Sequence, residues 1–162
     1  MQTYKKILFI LIAFISVSVS VSAKDGDTVL SFETEQEYVD FIYSLSPVLL
    51  QQYPKSIVRW VYLNSSQYET DLSNVLLLAN ADFNKKVNKQ FFKLSQGESI
   101  TSLLDKGTIL LGKRKSVSGD QAIWINIIGY DQHGKVLVVN DSKVGAAQQI
   151  PSDGLESAYY IK

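Results

Sequence analysis

The chain contains no cysteine. That excludes a thiol nucleophile, a disulfide framework, a cysteine metal site and a lipid-anchored cysteine. Histidine occurs once, at His133, so no cluster of imidazole ligands can form. Proline occurs only three times, and no low-complexity segment or internal repeat is present. Charge of one sign is also missing: 16 basic residues face 16 acidic ones. The densest basic run is Lys113-Arg114-Lys115, which reads as a solvated loop and gives no reason to expect nucleic acid.

One long apolar run is present, at the start. Met1 to Lys6 carries two lysines and no acid, Ile7 to Ile15 is unbroken and apolar, and Ser16 to Ala23 is built of small residues. Val21 and Ala23 stand at −3 and −1 of a cut before Lys24. This is the pattern of a secretory signal peptide. A membrane span needs ~20 mostly apolar residues, and Ile7 to Val21 is shorter and interrupted by serines. No later segment is a candidate span. The sequence thus predicts a signal peptide over 1–23, a flexible N-terminal segment over 24–33 and one domain over 34–162. The exported product, periplasmic or extracellular, has about 139 residues and a net charge of about −2. Without disulfides it must rely on packing alone.

The mature chain changes character near Gly97, from helical to strand periodicity. Thr34-Glu35-Gln36-Glu37 fits a capping box, followed by Tyr38, Phe41, Ile42 and Leu45 on one helical face. Ser46-Pro47 and Pro54 each read as a restart, the latter opening the helix expected to be most buried, with a strand reading left open by its β-branched residues. Asp71 or Ser73 could cap a further helix, and Asp82 to Leu94 continues at helical spacing through Phe83, Val87, Phe91 and Leu94, with Asn80 to Asn84 as a candidate break. A short helix over Ser99–Lys106 closes on Gly107. Strands follow at Thr108–Gly112, Ala122–Tyr130 and Lys135–Asn140, the last two joined by the turn Asp131-Gln132-His133-Gly134. Gln148–Ile150 and Ala158–Ile161 read as edge strands, with Tyr159 and Tyr160 one in and one out. The class is α+β, N-terminal helices packed on a C-terminal antiparallel sheet.

The stretch Ser102–Leu111, then Ile123-Trp124-Ile125-Asn126-Ile127-Ile128-Gly129-Tyr130-Asp131, then Val136-Leu137-Val138-Val139-Asn140-Asp141, resembles the C-terminal half of the bacteriocin leader-processing (double-glycine) peptidases. The resemblance covers about residues 99–161 and implies a papain-like cysteine peptidase fold. In that family a histidine starts the strand ending in Gly-Tyr-Asp, an Asp closes the next strand, and a cysteine opens a helix. The family's helix start would fall at Gln52-Tyr53-Pro54-Lys55-Ser56-Ile57, with Gln52 in place of the cysteine. The histidine position falls at Ile123 or Trp124, and only Asp141 is retained. A papain-like mechanism needs the thiolate and its base together. The resemblance therefore implies a non-catalytic pseudoenzyme that holds a peptide or protein partner in a degenerate cleft near Gln52, Trp124 and Asp141, with no cofactor and no metal.

Two alternatives remain open on the residues. A hydrolase could use a serine with His133 and Asp131 or Asp141, although His133 sits in a turn and no Gly-x-Ser-x-Gly elbow accompanies it. An accessory subunit of an envelope or secretion assembly is the other. Asp25-Gly26-Asp27 hints at a calcium loop but lacks the remaining ligands. Asp40, Asp71, Asp82 and Asp105 read as solvated or capping. Asp141 is as easily a turn residue, and Trp124 as easily a core aromatic.

Overall fold

A computed structural model describes residues 28–86, 88–95, 97–115 and 122–162. The expected signal segment 1–23, the Asp25-Gly26-Asp27 run and Val87 lie outside the described residues. The elements run β1 (Val29–Ser31), α1 (Glu35–Leu50), α2 (Ser56–Asn64), β2 (Glu69–Asp71), α3 (Leu72–Asp82), β3 (Phe91–Lys93), α4 (Ile100–Asp105), β4 (Leu110–Lys115), β5 (Ala122–Tyr130), β6 (Val136–Asp141), β7 (Gly145–Pro151) and β8 (Leu155–Ile161). β1 pairs with β2, which ties down residues 29–31 of the stretch expected to be flexible. The other strands form a six-stranded sheet in the order β3-β8-β4-β5-β6-β7, and each of its pairs is antiparallel. The class is α+β.

Period-two alternation gives the sheet two apolar faces. On one, Leu111, Trp124, Tyr159 and Ile161 pack with α1, α2 and α3. On the other, Leu110, Ile125, Ile127, Leu137 and Val139 pack with Ile100, Leu103 and Leu104 of α4. α1 is the helix laid most fully on the sheet, burying Phe41, Leu45, Val48 and Leu49. Its start is set by Thr34, whose hydroxyl accepts from the Glu37 amide at 3.0 Å. Glu37 in turn accepts from the Glu33 amide at 2.8 Å, one residue upstream of the usual capping-box partner.

Several expectations are corrected. Ser46-Pro47 does not restart a helix, because α1 runs through Pro47. Proline removes one helical hydrogen bond, that to the Tyr43 carbonyl. The apolar face continues across it, and Ser46 Oγ donates to the Ile42 carbonyl at 2.7 Å. The segment after Pro54 is a helix, α2, but it buries only Ile57 and Val61 and so is not the most buried one. Helical structure ends at Asp82, within the candidate break Asn80 to Asn84, and does not resume toward Leu94. Asn84 takes φ 50°, and Asn80 Nδ2 bonds the Lys89 carbonyl at 2.8 Å, turning the chain so that Phe91 enters the core from a strand. β8 is an interior strand, not an edge, so both Tyr159 and Tyr160 are buried, one on each face. β7 is an edge as expected, and the β5–β6 hairpin turns at Gly134 with φ 66°.

Two buried phenols give a pH signature. Burial pushes Tyr53 up to about 12, with its hydroxyl donating to Asn80 Oδ1 at 2.5 Å. Burial, then the hydrogen bond to Glu98 at 2.8 Å, pushes Tyr160 up to about 12. Both folded values are raised, so the folded state holds these protons more tightly than the unfolded chain. Their contribution to stability is full below the ordinary tyrosine value of about 10 and is lost as pH rises toward 12. Absorbance titration of phenolate should leave two tyrosines protonated at pH 11, and the urea midpoint should fall from pH 10 upward. Complete ionisation by pH 11 without loss of stability would contradict this.

Candidate functional site

Charged and amide side chains follow one seam along α1 where it crosses the sheet. In the first turn, Glu37 is 7 % exposed. Its Oε1 receives Trp124 Nε1 at 3.3 Å and lies 3.4 Å from Lys113 Nζ. The Lys113 ammonium also stands 5.3 Å from the centroid of the Trp124 ring, a cation–π distance. Trp124 itself is 0 % exposed. Its ring meets Phe41 edge-on at 5.1 Å and is flanked by Phe32 and Tyr159. The pocket a smaller residue would leave at the start of β5 is therefore filled by an aromatic ring whose single polar atom is satisfied.

One turn further along, Asp40 is buried, not solvated as expected. Its Oδ1 accepts from Gln36 Nε2 at 3.0 Å and from Ser142 Oγ at 3.4 Å. Its Oδ2 forms an ion pair with Lys143 Nζ at 3.0 Å. The other three aspartates behave as expected at helix ends. Asp71 caps α3, Asp82 receives Trp60 Nε1 at 2.6 Å, and Asp105 receives the Tyr130 hydroxyl at 2.6 Å.

Asp141 closes β6 and faces away from α1, since its register partner Ile125 packs on the opposite side of the sheet from Trp124. Its Oδ1 accepts from the Lys143 amide at 2.8 Å and from the Val144 amide at 3.3 Å, the geometry of a turn built on an aspartate. Its Oδ2 meets Arg114 at 3.2 Å, with the aspartate side chain 1 % exposed. Lys113-Arg114-Lys115 is thus no solvated loop. It is the end of β4, and alternation sends Lys113 to Glu37 on one face and Arg114 to Asp141 on the other.

The three residues expected to share a cleft do not meet. Trp124 touches Glu37 in the first turn of α1, whereas Gln52 follows the last turn. At 1.5 Å per residue the two ends of α1 are about 22 Å apart. Gln52 offers its carbonyl to Lys85, and its neighbour Gln51 is the one that reaches the sheet, bonding Gly107 and Ile109 at 2.7 and 2.9 Å. Trp124 and Asp141 sit on neighbouring strands but on opposite faces. His133 is exposed in the hairpin turn, whose geometry is fixed by Asp131 accepting from Lys135 and Val136. Those backbone bonds, led by the one from Val136, hold the Asp131 carboxyl below its ordinary value.

A concave surface lies elsewhere, between α1 and the β6–β7 corner. This open groove has a volume of about 420 Å³. Tyr43 and Pro47 form its helical wall, Asn126 and Asn140 its floor, and Ser142, Gly145 and Ala146 the far lip. Asn126 Nδ2 donates to the Ser44 carbonyl, and Asn140 Oδ1 accepts from the Ala147 amide at 3.0 Å. Among the described residues no group of three or more metal-ligating side chains converges. No described helix is long and apolar enough to cross a membrane. The chain matches no protein-family model and no curated protein.

Asn126 and Asn140 carried no signal as single residues within apolar strands. Their alternation was the available clue: both fall on the helix-facing side, where the rest of each strand supplies apolar groups.

Proposed function

We propose that this is an exported, non-catalytic domain of papain-like ancestry that binds a peptide or protein partner, in the periplasm or the extracellular space. The export rests on the signal pattern of residues 1–23, and the ancestry on the strand motifs of residues 99–161. Element order is compatible with it. A helix of sixteen residues lies along the sheet with its N-terminal turn against the start of the strand that ends in Gly-Tyr-Asp. On this reading α1, rather than the segment after Gln52, would face the strand start that the resemblance aligns with the base.

The observation that carries the reading is the state of that position. Of the two residues that the resemblance aligns with it, Ile123 and Trp124, the latter is fully buried and bonded to Glu37, in a chain without any thiol. An indole whose N–H is already donated cannot accept a proton, and a filled site cannot admit a substrate. The exposed His133 makes no side-chain hydrogen bond among the described residues, and Asp131 beside it is engaged by backbone amides, which does not favour the hydrolase alternative. What remains is surface, and the groove beside α1 is its concave part.

The direct test is turnover. Purified protein and its His133→Ala variant are incubated with unstructured protein substrates and with activated esters. Both should stay at the buffer rate. Hydrolysis above that rate, lost in His133→Ala, would favour the alternative enzyme.

A further inference from the structure

The groove floor has an unusual feature for the buried face of a sheet. Asn126 and Asn140 are register partners on β5 and β6, so their Cβ atoms lie roughly 5 Å apart. Each amide is half used, and its orientation is set by the half in use. Asn126 gives its Nδ2 to the Ser44 carbonyl, so Oδ1 is left as an acceptor. Asn140 gives its Oδ1 to the Ala147 amide, so Nδ2 is left as a donor. Neither remaining atom takes a protein partner among the described residues, and both residues line the groove. Asn126 is 4 % exposed and lines the groove.

Charge narrows the ligand class. The carboxylates near the groove are already neutralised: Asp141 by Arg114 and two turn amides, Asp40 by Lys143. No ionised group is left to select a charged ligand. The wall adds Tyr43, 66 % exposed, and Pro47 beside it. The volume falls within the ~300–1,000 Å³ usual for ligand sites.

A neutral ligand offering one acceptor and one donor on the same side is therefore required. An extended polypeptide supplies this at each alternate residue, whose own C=O and N–H point the same way, as they do toward a strand partner. We infer that the groove between α1 and the β6–β7 corner holds an extended segment of a partner polypeptide by its main chain, with Asn140 Nδ2 donating to a C=O and Asn126 Oδ1 accepting from the N–H of the same residue. Tyr43 covers the side chain that turns toward the rim. This deepens, and rests on, the partner-binding reading above. Recognition through the main chain makes the site tolerant of sequence, provided the residue held is neither proline nor N-methylated.

The test is titration of ¹⁵N-labelled protein with a pool of acetylated and amidated tetrapeptides of Ala, Ser, Gly and Leu, followed by two-dimensional NMR. The side-chain amide signals of Asn126 and Asn140 and the backbone signals of Gly145 and Ala146 should shift and saturate. N-methylation of the peptides, and separately Asn140→Ala, should each weaken binding about five-fold, as expected for loss of a hydrogen bond. Tyr43→Ser, an exposed change that spares the fold, should weaken it too. Shifts elsewhere with the asparagine signals unmoved would overturn the groove assignment while leaving partner binding intact. Binding indifferent to N-methylation, no response to peptides at all, or a response only to a neutral oligosaccharide such as chitotetraose, would each overturn the inference. Cleavage of the peptides during titration would instead sink the non-catalytic reading, and is seen separately as new peptide signals.

Discussion

Trp124→Ala is expected to destabilise the domain by about 3–5 kcal/mol, the range for deleting a large buried aromatic. Three terms act together at this site. The ring is fully buried and touches Phe41, Phe32 and Tyr159, so its removal leaves a cavity walled by rings that cannot easily collapse. Its indole N–H is a partner of buried Glu37, which would lose a donor. Lys113 would lose the aromatic face it stands over. Against a typical total of about 5–15 kcal/mol, such a loss leaves a marginal fold. Trp124→Phe should cost visibly less, because the ring is kept and only the N–H is lost. Urea unfolding of the two variants measures both. A small effect of Trp124→Ala would mean that the start of β5 is looser than this packing requires.

Asp141→Ala should be the second large loss, about 3–5 kcal/mol, for a different reason. Removing one member of a buried ion pair leaves the other charge without compensation. Arg114, whose side chain is 17 % exposed and whose Nε has no other partner, would be that charge. The turn amides of Lys143 and Val144 would also lose their acceptor. Asp141→Asn keeps an oxygen for the turn and loses only the charge, so it should fall between wild type and alanine. A cycle with Arg114→Met separates the pair from the turn: in that background Asp141→Ala should cost much less. Equal costs in both backgrounds would assign the effect to the turn alone.

These losses are structural, and that bears on the resemblance to the leader-processing peptidases. Asp141, which the resemblance would align with the family's orienting aspartate, bonds a turn and Arg114 rather than Trp124. Trp124, one of the two residues that the resemblance would align with the base, is part of the core.

Local signals in the sequence were reliable where one or two neighbours decide the outcome. Thr34 and Asp71 cap the helices they were expected to cap, Gly107 ends α4 with φ 75°, and Gly134 turns the hairpin. Signals that depend on distant partners were misread. Lys113 and Arg114 look like loop charges until Glu37 and Asp141 are in place to receive them. Asp40 looks solvated until Ser142 and Lys143 close over it. Pro47 looks like a boundary because its local penalty is visible, whereas the long apolar face that carries α1 past it is a property of the sheet beneath. Tyr159 and Tyr160 looked like edge residues because nothing local reveals that β3 will pair outside β8. The groove was illegible for the same reason: Asn126 and Asn140 acquire meaning only through register, and Tyr43 only through Pro47 and the β6–β7 corner.

The proposed reading stands on Trp124 being sealed within the core. Trp60→Phe leaves Trp124 as the only indole, and quenching of its fluorescence by iodide then reports directly on that position. The prediction is a blue-shifted emission, no measurable quenching by iodide, and no change when peptide binds. Quenching approaching that of free tryptophan, or emission that moves on addition of peptide, would place an open cleft at Trp124 and contradict the account.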